Sequence, residues 1–396
     1  MRVAFANHTA DIAGAERSMV SVLEVLATHG HEVHVWVPGP GPLIGHLKAL
    51  GAQVHRQRSH WWMSRRGGGV IGLIRLAQAG SDTVGFVRAW RRVRPDVVVV
   101  NTSVTPAPVL AGALLRIPTV TIVRESLRSN PTLRSLLPKT VIVAALARWS
   151  TQVVTISRYV SEQLEPWPSG APAPLVRHPG VSLDPLPKVA RAAGDGTMRL
   201  LLLGSIGGDK GQREAVQAAG AAIECGADLR LDMYGDGVPS ELTALRGAIA
   251  DSGHSERLCL HRPIDDIRPL LARADALIMA SRNEGYGRVT VEALQAGVPV
   301  VGYAAGATTE ILEQGGGLLV PPGVRALHGA LCEVAADGEL LARLTEQAVE
   351  VGRRLQQVPR SAQLAEVIEA VASTAAVRVS GPGASRRWES DGKYTQ

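Results

Sequence analysis

Cysteine is scarce, and the little present excludes a disulfide framework. Cys225, Cys259 and Cys332 are isolated, odd in number and without CxxC spacing. They read as small buried hydrophobes in a reducing compartment, not as metal ligands or nucleophiles. Long apolar runs are absent as well. Residues 141–147 form the longest unbroken apolar stretch in the middle of the chain, and 109–123 is broken by Arg116 and Pro118, whereas a membrane-spanning helix takes roughly 20 residues. The start lacks the basic region, apolar run and small-residue cleavage site of a secretory signal, so a cytoplasmic protein is the expectation. Missing too is a dinucleotide fingerprint. The loop from Asn7 to Gly14 has no G-x-G-x-x-G, and Gly204, Gly207 and Gly208 have the wrong spacing, which argues against a dinucleotide oxidoreductase.

Lysine is rare, five against 37 arginines, so a lysine among glycines at Lys210 is unlike compositional drift. A flexible ammonium beside glycines suits a diphosphate. The charge is lopsided. Residues 1–190 carry 21 basic against 10 acidic side chains, a net +11, and residues 191–396 carry 21 against 26, a net −5. Either the first half meets something anionic, such as a lipid surface, a phosphorylated acceptor or nucleic acid, or it is a solvated arginine-rich surface. Nucleic acid is the weakest of these, because the basic residues are dispersed and no nucleic-acid module is recognisable.

With 396 residues and 45% hydrophobic composition, the chain is long enough for two cores. Short β-branched runs at 3–6, 32–37, 96–100, 119–123 and 152–156 alternate with helical periodicity at 15–29, 83–93 and 133–149, the pattern of βα units around a parallel sheet. Seven prolines between Pro166 and Pro187 then mark linker chemistry. A second series follows, with strands at 199–203, 229–234, 258–260, 276–279 and 298–301. Helices at 212–225, 240–252, 264–272 and 289–296 alternate with them, and two more at 338–354 and 361–374 are separated by Pro359. The expected architecture is α/β, two Rossmann-like doubly wound domains facing across a cleft. Its parts are a first domain over 1–183, a linker over 184–197, a second domain over 198–358, a C-terminal helix over 359–378 placed to pack back on the first domain, and a disordered polar tail over 379–396.

One loop of the second domain reads Ser281-Arg-Asn-Glu284-Gly285-Tyr286-Gly287-Arg288-Val-Thr-Val-Glu292. It lies between a predicted strand and helix, at the carboxyl end of the sheet where α/β domains bind ligands. Gly285 and Gly287 let backbone N–H groups approach a phosphate, and the following helix adds its positive end. Glu284 and Glu292 stand eight positions apart, slightly more than two turns where the second half is helical, so both can face one pocket. One carboxylate then holds sugar hydroxyls and the other a ribose diol. The competing reading is a capped helix start with solvated glutamates.

This stretch resembles the E-x7-E signature of retaining glycosyltransferase family 4, the glycosyl transferases group 1. Its continuation, Glu292-Ala-Leu-Gln-Ala-Gly297-Val-Pro299-Val-Val, resembles the family's EA…A.G.PVV. Leu203-Gly-Ser-Ile-Gly-Gly-Asp-Lys210-Gly211-Gln is similar to its G…KG loop, and Asp232-Met-Tyr234-Gly235-Asp236-Gly237 to its GdG turn. Weaker matches are Ala13-Gly14-Ala-Glu16, Thr155-Ile-Ser157-Arg158 and His178-Pro-Gly180-Val181, and the set runs in order over about residues 1–325. The resemblance implies the GT-B fold, with the first domain on the acceptor side and the second binding a nucleotide sugar. It implies transfer of a hexose-type sugar, with retention, to an acceptor hydroxyl of a polysaccharide, glycolipid or small natural product. Donor contacts are implied for Gly14, Ser205, Lys210, Gly235, Glu284, Gly285, Tyr286, Gly287, Arg288 and Glu292. Glu284 and Lys210 are the catalytic pair, Lys210 stabilising the leaving diphosphate. No cofactor beyond the donor is expected, and no metal. An Asp-x-Asp motif that would hold a cation against the diphosphate is missing from both predicted domains, since Glu389-Ser-Asp391 lies in the tail and Asp265-Asp266 lacks the spacing.

Departures from the pattern bear on activity. Ser205 stands where the family usually has a second diphosphate arginine, and Arg213 and Arg288 are both close enough in sequence to replace it. A family histidine of the first domain is also missing, its places taken by Asn101-Thr-Ser103 and Arg124-Glu125-Ser126. Asn101 and Arg124, with His8 in the first loop, are the acceptor-side candidates. These gaps keep two alternatives open, a catalytically silent binding subunit and a nucleotide-sugar epimerase on the same fold, although E-x7-E followed by EA…G.PVV favours transfer. The loop over 56–69 combines Trp61 and Trp62 with Arg65 and Arg66. It is read either as a platform for a sugar acceptor, as a contact with anionic lipid at the inner face of a membrane, as a mobile cover, or as a loop whose tryptophans pack on the domain.

Overall fold

Residues 1–64, 69–189 and 196–380 are described by the structure, a computed structural model. The first domain runs β1 (Arg2–Ala6), α1 (Gly14–Thr28), β2 (Glu32–Val37), α2 (Leu43–Ala49), β3 (Gln53–Arg56), β4 (Met63–Ser64), α3 (Gly69–Val93), β5 (Val97–Val100) and α4 (Pro106–Leu115). It continues with β6 (Thr119–Val123), β7 (Arg134–Ser135), α5 (Lys139–Trp149), β8 (Gln152–Thr155), α6 (Arg158–Glu162) and β9 (Leu175–Val176). Seven strands form one sheet in the order β3-β2-β1-β5-β6-β8-β9, every pair parallel, while β4 and β7 make a small antiparallel ladder. Helices on both faces explain why β5 is four consecutive valines, all buried, because a parallel sheet covered on both sides cannot alternate polar and apolar residues.

The second domain runs β10 (Met198–Leu203), α7 (Gln212–Glu224), β11 (Leu229–Tyr234), α8 (Pro239–Asp251), β12 (Leu258–His261), α9 (Arg268–Arg273), β13 (Ala276–Met279), α10 (Arg288–Gln295) and β14 (Val300–Tyr303). Then come α11 (Thr308–Leu312), β15 (Gly317–Val320), α12 (Val324–Ala336), α13 (Gly338–Gln357) and α14 (Arg360–Ser380). Its parallel sheet has the order β12-β11-β10-β13-β14-β15. In each sheet the strand order reverses at the first strand, β1 or β10, and such a switch point opens a crevice beyond the strands' carboxyl ends. Helix α14 leaves the second domain and packs on α1 of the first, where His29 Nδ1 and His31 Nε2 stand 2.7 and 2.9 Å from one Glu369 oxygen.

Local chemistry moves several predicted boundaries. Helix α5 starts at Lys139 rather than 133, because residues before Pro138 are pushed out of the helical region and Arg134–Ser135 pair with β4 instead. Helix α3 begins at Gly69, far ahead of the expected 83, its first turns hidden from periodicity by apolar residues on the solvent side. Strand β14 starts two residues later than read, at Val300, because the chain is still leaving α10 through Gly297 (φ +64°). The cysteines are not buried hydrophobes: Cys225 is exposed beyond the end of α7, and Cys259, on edge strand β12, and Cys332 are half-buried. Arg65 and Arg66, residues 190–195 of the linker and residues 381–396 of the tail lie outside the described residues. Among the described residues no helix is long and apolar enough to cross a membrane.

Candidate active site

Between the two switch points lies a cleft of about 390 Å³. Its first-domain wall is Gly14, Ser18, Arg124, Glu125 and Ser126; its second-domain wall is Gly204, Ser205, Lys210 and residues 283–289. A further space of about 620 Å³ shares Gly14, Ser205 and Arg288 with it and extends past Tyr234, Gly235, Ile264 and Glu292. The two are ends of one elongated cleft.

Lys210 sits in a turn closed by its own N–H to Gly207 O, and the buried Gln212 carboxamide holds that loop by donating to Ser205 O at 2.8 Å. Its ammonium donates to Glu284 Oε2 at 2.8 Å. Burial alone lowers an ammonium, but the Glu284 carboxylate and Asp209 outweigh it and hold Lys210 above its ordinary value. The loop carrying Glu284 then turns through Gly287, whose φ of +85° is the left-handed region that favours glycine, and enters α10. Gly285 has a different constraint: a Cβ there would stand 2.7 Å from Arg124 O of the other domain.

The first turn of α10 brings Arg288 over Glu292, NH2 to Oε1 at 3.2 Å, while its NH1 donates to Ser18 Oγ at 3.0 Å and Gly180 O at 3.1 Å. Burial dominates both groups, pushing the guanidinium down and the carboxyl up. Arg288 therefore lines both parts of the cleft, whereas Arg213 faces a separate cavity with Gly207 and Glu241. Of the two arginines considered as substitutes at Ser205, the tertiary structure brings only Arg288 to the cleft.

On the first-domain side Arg124 is pushed down to about 10 by burial, with Glu16 and Glu125 opposing, and so stays charged at neutral pH. Its Nε and NH2 donate to Asn101 Oδ1 at 3.1 and 2.7 Å, and Asn101 in turn donates to Asn7, which donates to the buried Glu16. Asn101 is fully buried and spent on this chain, so it orients Arg124 and does not itself reach a substrate, a correction to its reading as an acceptor contact. His8 stands behind the same network, Nδ1 3.7 Å from Glu16 and its ring 5.4 Å from that of Trp61. Glu125 accepts from Ser103 Oγ at 2.6 Å and from the Thr102 hydroxyl. Trp62 is buried, its Nε1 donating to Ser103 O at 2.7 Å, so of the pair only Trp61 is even half-exposed.

Several contacts that join the domains have no counterpart in the motifs read as donor-binding. Ser157 caps α6 through Val160 N and also donates to Gly285 O at 2.6 Å. Arg158 holds Glu310 through its N–H and Nε at 3.0 and 3.1 Å, and Tyr159 donates to Asn283 at 3.2 Å. Tyr286 lines the cleft but is 4% exposed, its ring stacked on His178 at 5.3 Å, so it supports the loop rather than offering its hydroxyl freely. Ser126 and Ser281 were not singled out from sequence. Both are buried cleft-lining residues whose hydroxyls have no partner among the described residues, and a lone serine carries no spacing signal that would have marked either.

Two family models match this chain: Glycosyltransferase Family 4 over residues 12–184 and Glycosyl transferases group 1 over residues 197–337. Among curated relatives, the 2-deoxystreptamine glucosyltransferase of Streptomyces kanamyceticus is 31% identical over 34% of this chain and 33% of its own length. The glycogen synthase of Mycobacterium tuberculosis is 26% identical over 67% of this chain and 64% of its own. The chain thus spans less than two thirds of these relatives. Of solved structures, Anabaena HepE in complex with UDP and glucose superposes with a TM-score of 0.75 at 19% identity, covering 93% of this chain and all of HepE. Sucrose-phosphate synthase from Thermosynechococcus elongatus gives 0.74 at 17% identity, covering 94% of this chain. The shared fold is GT-B.

Proposed function

The chain belongs to glycosyltransferase family 4, and from that premise we propose that it moves a hexose-type sugar from a nucleoside diphosphate to an acceptor hydroxyl, retaining the anomeric configuration and using no bound metal. The observation that carries the reading is the Lys210–Glu284 pair on the glycine loop, with Arg288 and Glu292 on the helix that follows. Each cation is held by a carboxylate until a ligand takes over both partners. The base lies toward Gly235 and Ile264, the ribose diol at Glu292, the diphosphate between Lys210 and Arg288, and the sugar against Glu284. Arg288 in the cleft favours an active enzyme over a silent binding subunit.

In this reaction the acceptor oxygen bonds to the anomeric carbon on the face that the diphosphate leaves, as the bond from that carbon to the diphosphate oxygen breaks. A diphosphate oxygen takes the acceptor proton. Lys210, Arg288, the N–H groups of residues 285–287 and the N-terminal end of α10 oppose the charge that grows on the leaving group. The cytoplasm is the proposed place of work.

The test is a scan of nucleotide sugars for thermal stabilisation, beginning with uridine diphosphate sugars because HepE has been captured with UDP and with UDP-glucose. Transfer by the best donor is then followed in EDTA, and the product linkage read by NMR. Glu284→Gln should cut turnover and Glu292→Ala should mainly weaken nucleotide binding. Failure of every nucleotide sugar to stabilise the protein, an inverted linkage, or loss in EDTA with rescue by Mg²⁺ would each overturn the corresponding statement.

A further inference from the structure

Helix α3 has two unlike sides. Gly72, Ala79, Thr83, Phe86 and Trp90 form its buried stripe, at the spacing of a helix seated on a core. The opposite stripe, through Val70, Ile74, Ala77, Val84, Arg88 and Arg91, is exposed throughout. Val70 is 71% exposed and Leu73 58%, with Ile71 and Ile74 beside them. Solvent-facing helix positions are ordinarily charged, yet residues 69–87 contain only Arg75 and Asp82, and Asp82 is buried on His60. The result is an uncharged outer face about 25 Å long, from the 1.5 Å rise per residue, ending in arginines.

The charge around it is one-sided. The described residues of 53–94 hold seven arginines against one acidic residue, Asp82, a net +6 that equals the charge of the whole chain. A helix with apolar residues on one outward face and a basic surround fits the interface of an anionic bilayer. A second copy of the chain fits poorly, since it would bring two such arginine-rich surfaces together. Beside the helix, an open groove of about 810 Å³ passes His60, Trp61, Arg75 and Gln78, and Trp61 touches His8 of the loop after β1.

We infer that the outer face of α3 seats the protein on an anionic lipid bilayer, the apolar first turns entering the headgroup layer and Arg88 and Arg91 meeting lipid phosphates. This deepens the transferase reading, on which it rests for the acceptor: a lipid-borne acceptor headgroup reaches the groove directly from the surface.

Full-length protein is sedimented with phosphatidylcholine vesicles, with and without phosphatidylglycerol, at low and high salt. Binding should need the anionic lipid and fall with salt. Arg88→Ala with Arg91→Ala should weaken it roughly twenty-five-fold, about five-fold for each arginine, and Leu73→Asp with Ile74→Asp should abolish it. All four side chains are exposed, so both variants should melt with the parent protein and keep its nucleotide-sugar binding. No binding to anionic vesicles, equal binding to neutral ones, or vesicle binding unchanged in the variants would overturn the proposal. So would self-association lost in the Asp variant without any vesicle binding, which would assign the face to a second copy. Vesicle binding by a protein that no nucleotide sugar stabilises would leave this surface standing and remove the transferase reading instead.

Discussion

Replacing Arg288 by methionine should deepen a pH dependence of stability that the protein already carries at Glu292. Side-chain exposure is 18% for Arg288 and 13% for Glu292, and the guanidinium holds Ser18 Oγ and Gly180 O as well as the carboxylate. Burial already lifts the Glu292 carboxyl above its ordinary value, with Arg288 and then Arg17 pulling it back. Methionine keeps the length and apolar bulk of the side chain and removes the stronger of those two charges, so the carboxyl rises further. A group whose folded pKa lies above its unfolded one contributes stability that is complete below the unfolded value, roughly 4.3 for Glu, and is lost as pH climbs through the folded value. The variant should therefore lie nearest the parent at mildly acidic pH and fall away from it toward neutrality. Breaking a buried pair costs about 3–5 kcal/mol, and residual solvent contact with Arg17 nearby puts this one at about 2–3 kcal/mol. Thermal melts of the parent, Arg288→Met, Glu292→Gln and the double variant, repeated across pH, measure it. The double variant should be more stable than Arg288→Met at neutral pH, with a coupling on the order of 1–3 kcal/mol. A pH-independent loss, or two effects that simply add, would refute the reasoning.

Other positions have equally definite outcomes. Lys210→Ala removes the partner of Glu284 and should lower kcat by about 10²–10³; steady-state kinetics with an unchanged kcat would remove it from the chemistry. Ser157→Ala deletes both an α6 cap and the 2.6 Å bond to Gly285 O, and should weaken donor binding by about ten-fold, from roughly 1–2 kcal/mol. Calorimetric titration showing parental affinity would mean that this contact does not hold the loop. Trp62→Ala should destabilise by about 3–5 kcal/mol without changing the acceptor KM, and a normal melt with a raised KM would return Trp62 to the acceptor.

Much of the chain announces itself locally. Strands β6 and β13 coincide with their predicted limits because a parallel strand covered on both faces is buried at every position between turn residues, and β11 does so because Leu229, Leu231 and Met233 alternate with half-buried Arg230, Asp232 and Tyr234. That Lys210, Glu284 and Glu292 stand on glycine loops and the helix after them along the cleft was legible for a similar reason: a tight loop between strand and helix needs glycines at fixed offsets, and the spacing survives in one dimension. Short helices such as α2, α6 and α11 were missed, being too brief to show a period.

By itself, then, the sequence determined two βα series, the glycine loops and the residues those loops carry, since each depends on neighbours a few positions away. Only the tertiary structure decided that Arg288 rather than Arg213 lines the cleft, that Asn101 is spent on Arg124, and that Trp62 belongs to the core. It also decided that Ser157 reaches Gly285, 128 positions away, and that Arg288 reaches Ser18 across 270. Such pairs leave no local signature. A hydrogen-bond donor donates to whichever oxygen the docking of the two domains presents, and docking is set by the shapes of whole surfaces rather than by any spacing along the chain.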